Sequence, residues 1–498
     1  MKTLTLLLLT VCTAFAQGPL APPTVSGPLA GPVPPVGAGG VPQPAMKTLH
    51  QIEPRTPLSG GVAAHVISAP GSYYLTGNVN QSGTNNAIRI NAEDVTLDLN
   101  GFSVIGSFSG ANLAGIYIET FAKNVVVKNG IVRNWSGHAI NATAPRFSGE
   151  GLRLINNGLD GISTGSWAKI VDCHAMGNGN AGFLGFDNCV IRECSATENG
   201  VYGIRFMNQT VVQSCLLQGP QRGIVLANDG LVASCSVSGG TQFGISLDNS
   251  ASVLDTKVDG VVAGSGIRIL NGGNVQRCTV TNCTGDYGIY AGSSSHVANC
   301  LVKSCTVTNG IIVFYRSSVI QCVASENTSA NASQSCGIYA ESTCLVSRCD
   351  ASGNTSTAAT LTEKTGAGII TFFESTVDGC VAGRNKGAGI VCTTESVITN
   401  NHCTSNGGGV PAGVGPGIFG VSIGNRIDHN HVYSNTHGIK LLTTGNLVTG
   451  NVSRSNAWSI VAGNRVAPLV PPPTTAAITG TTGGTAFGST DPTANFMY

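Results

Sequence analysis

The sequence predicts an all-β solenoid of short parallel strands, and three observations lead to that fold class. A Gly-Ile-x-apolar segment recurs along the chain, mostly at steps of 20–22 residues. Small or polar residues recur at two other fixed positions of the repeat. Charged residues make up only 10% of the 498, while 67 are glycine. This composition favours tight turns over long helices.

The repeated apolar segment can be followed by its central Ile or Phe. Four steps are longer than the rest, at 24, 27, 31 and 28 residues, and each longer step indicates an inserted loop. The central residues are Ile116, Ile140, Ile162, Phe183, Ile204, Ile224, Ile245, Ile267, Ile289, Ile311, Ile338, Ile369, Ile390, Ile418 and Ile439.

Two columns appear when the second strand of each repeat is aligned. The first holds nine cysteines, from Cys173 to Cys380, and continues as Asn401, Asn430 and Asn451. The second column lies five residues further on and is mostly Asn, which tolerates the left-handed backbone of sharp corners. Side chains alternate along a strand, so the cysteine column and the small apolar residues two positions after it face inward, whereas the Asn corners are expected to be exposed. The pattern predicts a parallel β-helix of about 16 coils spaced ~4.8 Å apart.

The two ends of the chain differ in composition from the repeats. Residues 1–16 have the charged start, short apolar core and Ala-Phe-Ala end of a signal peptide, which predicts export. Residues 17–46 form a Pro/Gly-rich linker, 47–466 the β-helix, and 467–498 a tail expected to cap the last coil. The mature chain has no apolar run long enough to span a membrane. A net charge of +1 argues against nucleic-acid binding.

Two N-terminal segments, at 70–78 and 95–102, carry a family resemblance. They read Pro-Gly-Ser-Tyr-Tyr-Leu-Thr-Gly-Asn and Val-Thr-Leu-Asp-Leu-Asn-Gly-Phe. With the repeat, they resemble secreted bacterial right-handed parallel β-helix repeat proteins of the pectate-lyase-like superfamily over about 48–466. The resemblance implies a right-handed coil and an N-terminal helical cap, for which residues 46–52 are candidates. It implies no single activity, because the fold hosts lyases, hydrolases, epimerases and non-catalytic binders.

The motifs of two such activities are missing. The calcium-binding aspartates and arginine base of pectate lyases have no counterpart, and neither does the aspartate group of polygalacturonases with its Gly-His-Gly and Arg-x-Lys segments. The stretch Arg426-Ile427-Asp428-His429 is similar to a pectate-lyase Ile-Asp-His segment but lacks the accompanying motifs. This leaves open whether the protein is an enzyme.

The cysteines have two interpretations. An interior column of thiols packs like small hydrophobic side chains, and parallel neighbours have an awkward torsion for a disulfide. Cys283 and Cys305 fall instead in the Asn column of adjacent coils, where the backbone is freer. They are the best candidates for a disulfide.

Four of the nine histidines lie between residues 402 and 437. His402 and His431 should stack on one outward face, with His429 two residues back. Three converging imidazoles could hold a divalent metal, with Asp428 and His437 close in sequence. The alternative is a solvated polar patch.

Extra residues at 328–336, 355–366 and 407–416 all follow the same corner and predict a wall on one face. Beside it runs an outward stripe of Tyr290, Ile312, Tyr339, Ile370, Val391 and Phe419. The stripe could stack sugar rings, dock a protein, or lie beneath the loops. The predicted ligand-binding residues are Tyr290, Tyr339, Phe419, Asp428 and His437.

Three functions are consistent with these features. The first is an exported β-helix that binds, and in one version processes, a polysaccharide or cell-surface glycan on a lateral face. The second is a non-catalytic surface or adhesion rod that meets another protein. The third is a polysaccharide lyase, epimerase or hydrolase, and the missing acidic cluster argues against it.

Overall fold

The computed structural model describes residues 55–108, 112–331, 333–408, 414–470 and 492–497. These residues form parallel strands joined by turns, and no helix occurs among them, so none of them lies in a helix that could cross a membrane. The predicted signal peptide, linker and helical cap lie outside the described residues. Each coil contributes strands to three stacks, which we call faces 1, 2 and 3.

Face 1 contains the Gly-Ile segments, and its strands pair in parallel register, as in Ile245 with Ile267 and Ile267 with Ile289. Two short strands, Thr328–Ser329 and Thr355–Ser356, extend it within the inserted segments. The strands of face 1 are His65–Ile67, Ile88–Ile90, Ile116–Ile118, Ile140–Ala142, Ile162–Thr164, Ala181–Leu184, Tyr202–Phe206, Arg222–Leu226, Phe243–Asn249, Ser265–Asn271, Thr284–Ala291, Thr306–Val313, Ser335–Ala340, Thr365–Thr371, Ile390–Cys392, Ile418–Gly420, Ile439–Leu441 and Ser459–Ile460.

Face 2 follows face 1 in each coil. Its strands are Thr56–Leu58, Gly71–Leu75, Val95–Asp98, Val126–Arg133, Ser148–Ile155, Lys169–Val171, Val190–Arg192, Val211–Gln213, Leu231–Ala233, Ser252–Leu254, Asn274–Gln276, His296–Ala298, Ser318–Ile320, Leu345–Ser347, Thr376–Asp378, Val397–Thr399, Arg426–Asp428, Leu447–Thr449 and Arg465–Val466.

Face 3 completes the coil, and the second halves of Val126–Arg133 and Ser148–Ile155 belong to it. Its other strands are Val79–Asn80, Ser103–Ile105, His174–Met176, Ser195–Thr197, Leu216–Gln218, Ser236–Ser238, Lys257–Asp259, Thr279–Thr281, Leu301–Lys303, Val323–Ser325, Val381–Gly383, His402–Thr404, His431–Tyr433, Val452–Arg454 and Asn495–Met497, and the last pairs also with Leu469–Val470.

The predicted fold class is confirmed, with 18 strands on face 1 where about 16 coils were expected. The Gly-Ile signature is absent from the end strands His65–Ile67, Ile88–Ile90 and Ser459–Ile460, and the pattern therefore missed these three. At the C-terminal end, the Oδ1 of Asn495 accepts the backbone N–H of Asn451 at 2.9 Å. A segment of the tail thus adds one more rung to face 3.

The glycine of the Gly-Ile segment is required by close packing. A Cβ added at Gly266 would lie 2.5 Å from Cγ1 of Val280 and 2.8 Å from the carbonyl oxygen of Gly288 in the next coil. Both distances are shorter than a real Cβ contact. The Gly-Ile repeat therefore marks the place where face 3 and the next coil approach the backbone of face 1.

Each coil turns three corners, and many of the corners share one device. A residue with positive φ is followed by an inward side chain that accepts the backbone N–H of the equivalent residue in the preceding coil. At the first predicted column, His429 has a φ of 52° and the Oδ1 of Asn430 accepts the N–H of Asn401 at 2.9 Å. Such acceptors satisfy amides that the strand ladders leave free.

The Asn corners are buried, which corrects the expectation that they are exposed. Asn199 is only 2% exposed, and its Oδ1 accepts both the backbone N–H and the side-chain N–H of Asn178. The reason is that the amide turns inward after the left-handed residue Glu198. The corner amides therefore belong to the polar interior of the solenoid.

The described part of the chain contains sixteen cysteines, and all are buried and free. This finding does not support the proposed disulfide between Cys283 and Cys305. The two stand side by side in parallel register, and the Cys283 Sγ donates to the carbonyl oxygen of Thr281 at 3.4 Å, while Cys305 donates to that of Lys303 at the same distance. Burial raises the pKa of Cys189 to about 11 and that of Cys392 to about 12, which keeps these thiols protonated and unreactive.

Candidate functional site

Aromatic rings and guanidinium groups share the outward side of face 1. The guanidinium of Arg205 lies over the ring of Tyr202 at 4.9 Å, and that of Arg268 lies 5.4 Å from the ring of Phe243 and 5.9 Å from that of Tyr290. Arg268 thus bridges rings from two other coils. Stacking of this kind holds the guanidinium groups flat against the sheet while their N–H groups stay available at the surface.

Arg222 joins the same arrangement. Its Nη1 donates to the hydroxyl of Tyr202 at 3.1 Å and its Nε to Gln242 at 2.6 Å. Across the four strands that carry Arg205, Arg222, Arg268 and Phe243, the one carboxylate is Asp248, and it forms no ion pair with them. This part of face 1 is therefore both aromatic and positively charged.

Further rings continue along the face in the following coils. Tyr287 and Tyr290 have centroids 5.6 Å apart, and Tyr290 and Phe314 are 5.3 Å apart. Tyr339 and Phe372 are 5.4 Å apart. All of these rings are half-buried, so each keeps an accessible surface. We call this set the aromatic strip: Tyr202, Phe243, Tyr287, Tyr290, Phe314, Tyr339 and Phe372.

The predicted stripe is only partly exposed. Tyr290 and Tyr339 keep half-exposed rings, but Phe419 is 3% exposed, and Ile312, Ile370 and Val391 are buried as well. The expectation of Phe419 as an exposed ring for a ligand is therefore wrong. Ile370, Val391 and Phe419 form a second apolar cluster with Cys336, Ala367 and Ala388, separate from the interior core.

The inserted segment after Thr355 explains this burial. The Nζ of Lys440 binds the Oε1 of Glu363 at 2.7 Å and lies 5.7 Å from the centre of the Phe419 ring. In the same segment, the backbone carbonyl oxygen of Glu363 accepts the N–H of Ala388 at 2.8 Å. The loop therefore crosses the end of the stripe and covers it.

Glu341 is a site residue that the sequence analysis missed. It directly follows strand Ser335–Ala340, beside Tyr339, and its Oε2 is buried without a hydrogen-bond partner. Burial raises the pKa of this carboxyl group. No sequence motif marks it, because its significance arises from Phe314 and Phe372 in the neighbouring coils.

Asp428 and His437 lie in different surroundings from the aromatic strip. Asp428 ends a strand of face 2 and is buried, with bonds from Arg426 at 2.7 Å, His429 at 2.9 Å and Thr449 at 2.6 Å. Although burial raises its pKa, the hydrogen bonds from Thr449, Arg426 and His429 outweigh that effect and lower it. The carboxylate oxygens of Asp428 thus already have hydrogen-bond donors within the protein. His437 precedes the face 1 strand Ile439–Leu441, and its Nδ1 is buried without a partner.

The three histidines of the predicted metal site do not converge. His402 and His431 do pair in register on face 3 as expected, and they line a shallow depression of about 190 Å³ with Tyr433 and Arg454. His429 is the left-handed corner residue, and its ring turns towards Asp428 and the next coil at Gly450. No group of three metal-ligating side chains occurs within the described ranges. A corner residue does not follow strand alternation, and this is why the expected geometry fails.

Comparison with known proteins supports the architecture. The family described as right handed beta helix region matches residues 222–373 and 265–456. This match and the structure together show the right-handed parallel β-helix fold that the sequence resemblance indicated. A search of curated proteins finds no match.

Several solved structures align with most of this chain at low sequence identity. Tailspike protein 3 of bacteriophage CBA120 is 12% identical with a TM-score of 0.37, and the alignment covers 78% of this chain and 57% of the tailspike. The A-module of the mannuronan C-5 epimerase AlgE4 from Azotobacter vinelandii is 11% identical with a TM-score of 0.23, covering 80% and 90%. The surface adhesin PfbA of Streptococcus pneumoniae is 10% identical with a TM-score of 0.25, covering 80% and 85%.

Proposed function

We propose that this protein binds a polysaccharide along face 1, with the aromatic strip as the contact surface. The observation that carries the proposal is the run of half-exposed rings from Tyr287 to Phe372, which continues the guanidinium-stacked rings from Tyr202 to Tyr290. Sugar rings stack on aromatic faces, and a few polar groups then fix their orientation. A stack of coils ~4.8 Å apart repeats such contacts in one direction, as an extended polymer requires.

The charged groups of the face also favour a carbohydrate. Arg205 and Arg268 form no ion pair with any described carboxylate, so their N–H groups are available for hydroxyl or carboxylate oxygens of a sugar. A protein partner would be favoured by a larger exposed apolar patch, but the most apolar part of the stripe lies beneath the loop that carries Glu363.

The carboxyl groups near the aromatic strip favour binding over hydrolysis as its function. Glycoside hydrolases generally use two carboxyl groups about 5–10 Å apart. Burial alone raises the pKa of Glu341, with no contribution from a second carboxylate. We propose in addition that the protein is exported by its first 16 residues, which would bring the face into contact with extracellular or cell-surface glycans.

The proposal is tested with the purified protein and a panel of soluble polymers, namely polygalacturonate, alginate, hyaluronan, xylan and dextran. We expect at least one to bind, and Tyr290→Ala to weaken that binding by about 1–3 kcal/mol. Tyr433→Ala is the matched control, because Arg454 lies 5.4 Å from its ring on face 3. Equal losses for both variants, or no binding by the wild type, would contradict the placement on face 1.

A further inference from the structure

Glu341 lies towards the C-terminal end of the aromatic strip, in the coil between those of Phe314 and Phe372. Val313 pairs with Ala340, and Ala340 with Thr371, so the residues that follow them also stand in neighbouring coils. Those residues are Phe314, Glu341 and Phe372. A carboxyl group therefore lies in an outward column between two phenylalanine side chains, next to Tyr339.

Among the described residues, no cation contributes to the electrostatic environment of Glu341. The groups that interact with it electrostatically are the Tyr339 hydroxyl and the Cys344 thiol, whose pKa values its negative charge raises further. Tyr287, Tyr315 and Cys336 also lie around Tyr339. Each of these groups is neutral at pH 7 in its ordinary state. The buried Oε2 has no hydrogen-bond donor, so an ionised carboxylate would leave one charged oxygen unsatisfied.

We propose that Glu341 is a ligand-contacting residue of face 1 that acts as a neutral carboxylic acid and donates a hydrogen bond to an oxygen of a bound sugar. This inference rests on the proposed polysaccharide binding and adds a specific polar contact to it. The sealed Oε2 serves as the carbonyl oxygen, and the proton resides on Oε1, the oxygen that is not sealed. The aromatic neighbours provide the apolar environment that favours the uncharged acid.

A pH dependence of binding follows from this arrangement. Burial raises the pKa of Glu341, so the carboxyl group remains protonated to a higher pH than an exposed glutamate. As the pH rises through that pKa, the donor is lost and a negative charge faces the sugar oxygen. Affinity should therefore fall by about tenfold once the pH has risen through that pKa, corresponding to the loss of one hydrogen bond and an unfavourable charge contact.

The test measures the affinity of wild type, Glu341→Gln and Glu341→Ala for the panel polymer that binds best, from pH 5 to pH 8. The amide of the Gln variant keeps a donor at every pH, so its affinity should stay constant, whereas the Ala variant should bind weakly throughout. Glu374→Gln is the matched control, because Glu374 is an exposed corner residue next to Phe373. This control should retain the wild-type pH profile.

A second measurement needs no polymer. Difference infrared spectra of wild type and Glu341→Gln should show a protonated carboxyl band that persists to a higher pH than the corresponding band of exposed Glu374, obtained from wild type and Glu374→Gln. Loss of the band at the same pH as that of exposed Glu374, or a wild-type affinity independent of pH, would overturn the inference while leaving polysaccharide binding intact. A persistent band without binding of any polymer would contradict the proposed function and, with it, the sugar contact.

Discussion

The backbone N–H of Cys380 donates to the Oδ1 of Asn401 in the next coil at 2.9 Å. Asn401 therefore continues the column of cysteines, in which Cys349 donates its own N–H to the Sγ of Cys380 at 3.4 Å. Thr256 plays the same part earlier, where its Oγ1 accepts from Cys235 at 3.3 Å. Cys, Thr and Asn therefore share the column because each offers an inward acceptor of small volume.

Removal of this acceptor should destabilise the fold. Asn401→Ala leaves the buried N–H of Cys380 without a partner, and we expect a loss of about 1–3 kcal/mol in the free energy of unfolding. Asn401→Cys should lose less, since a thiol accepts the equivalent N–H elsewhere in the column. Chemical denaturation measures both, with Thr399→Ala on the surface of face 2 as control. Equal losses for the Ala and Cys variants would contradict the role of the thiol as an acceptor.

The cysteines should remain reduced even though export is proposed. Thiol titration after denaturation without reductant should find all sixteen described cysteines free, because stacked neighbours engage carbonyl oxygens and stand in parallel register. Loss of two thiols together with a linked peptide joining Cys283 and Cys305 would revive the disulfide hypothesis for that pair. Fewer than about half of the thiols free would refute the packing interpretation altogether.

The carboxylate of Asp428 should contribute pH-dependent stability. Hydrogen bonds from Thr449, Arg426 and His429 lower its folded-state pKa below the unfolded value of about 3.9. Its contribution is therefore complete above about pH 5 and is lost as the pH falls through 4 and below. Asp428→Asn should reduce stability at pH 7 by about 1–3 kcal/mol, and this difference should shrink at pH 3.

Asp378→Asn serves as the comparison for that measurement. Asp378 stands two coils before Asp428 in the same register column of face 2, and among the described residues it has no ion pair. We expect a smaller loss at pH 7 for this variant. A stability difference for Asp428→Asn that stays constant from pH 7 to pH 3 would show that the ionised form is not what stabilises the fold.

The sequence predicts the fold well because residues that recur at fixed positions of the repeat show how adjacent coils align. The Gly-Ile segment marks most coils, and the Cys and Asn columns mark two of the three corners. The inward column of the third corner was not recognised, although Ser295 and Ser317 accept the N–H groups of Gly273 and Ser295 there. Its column alternates among Ala, Gly, Ser, Cys and Asn, so no single residue type reveals it.

The site was harder to predict than the fold, since its geometry depends on what covers each strand. Alternation correctly places Tyr290, Tyr339 and Phe419 outward, but it contains no information about the loop that seals Phe419. Alternation also fails at left-handed corners, and His429 therefore leaves the face of His402 and His431. Glu341 has no motif, because its environment is assembled from other coils.

The last prediction separates contact residues from covered ones on face 1. Tyr339 is half-exposed and stacks near Phe372, so Tyr339→Ala should weaken polymer binding by about 1–3 kcal/mol with little change in stability. Phe419 is buried beneath Lys440, so Phe419→Ala should instead lower the free energy of unfolding by about 3–5 kcal/mol. At temperatures where both variants are folded, Phe419→Ala should bind like the wild type. Calorimetric titration and thermal unfolding of the same samples measure the two effects. A reversed pattern, with Phe419 required for binding and Tyr339 for stability, would show that the ligand enters beneath the loop and not along the exposed rings.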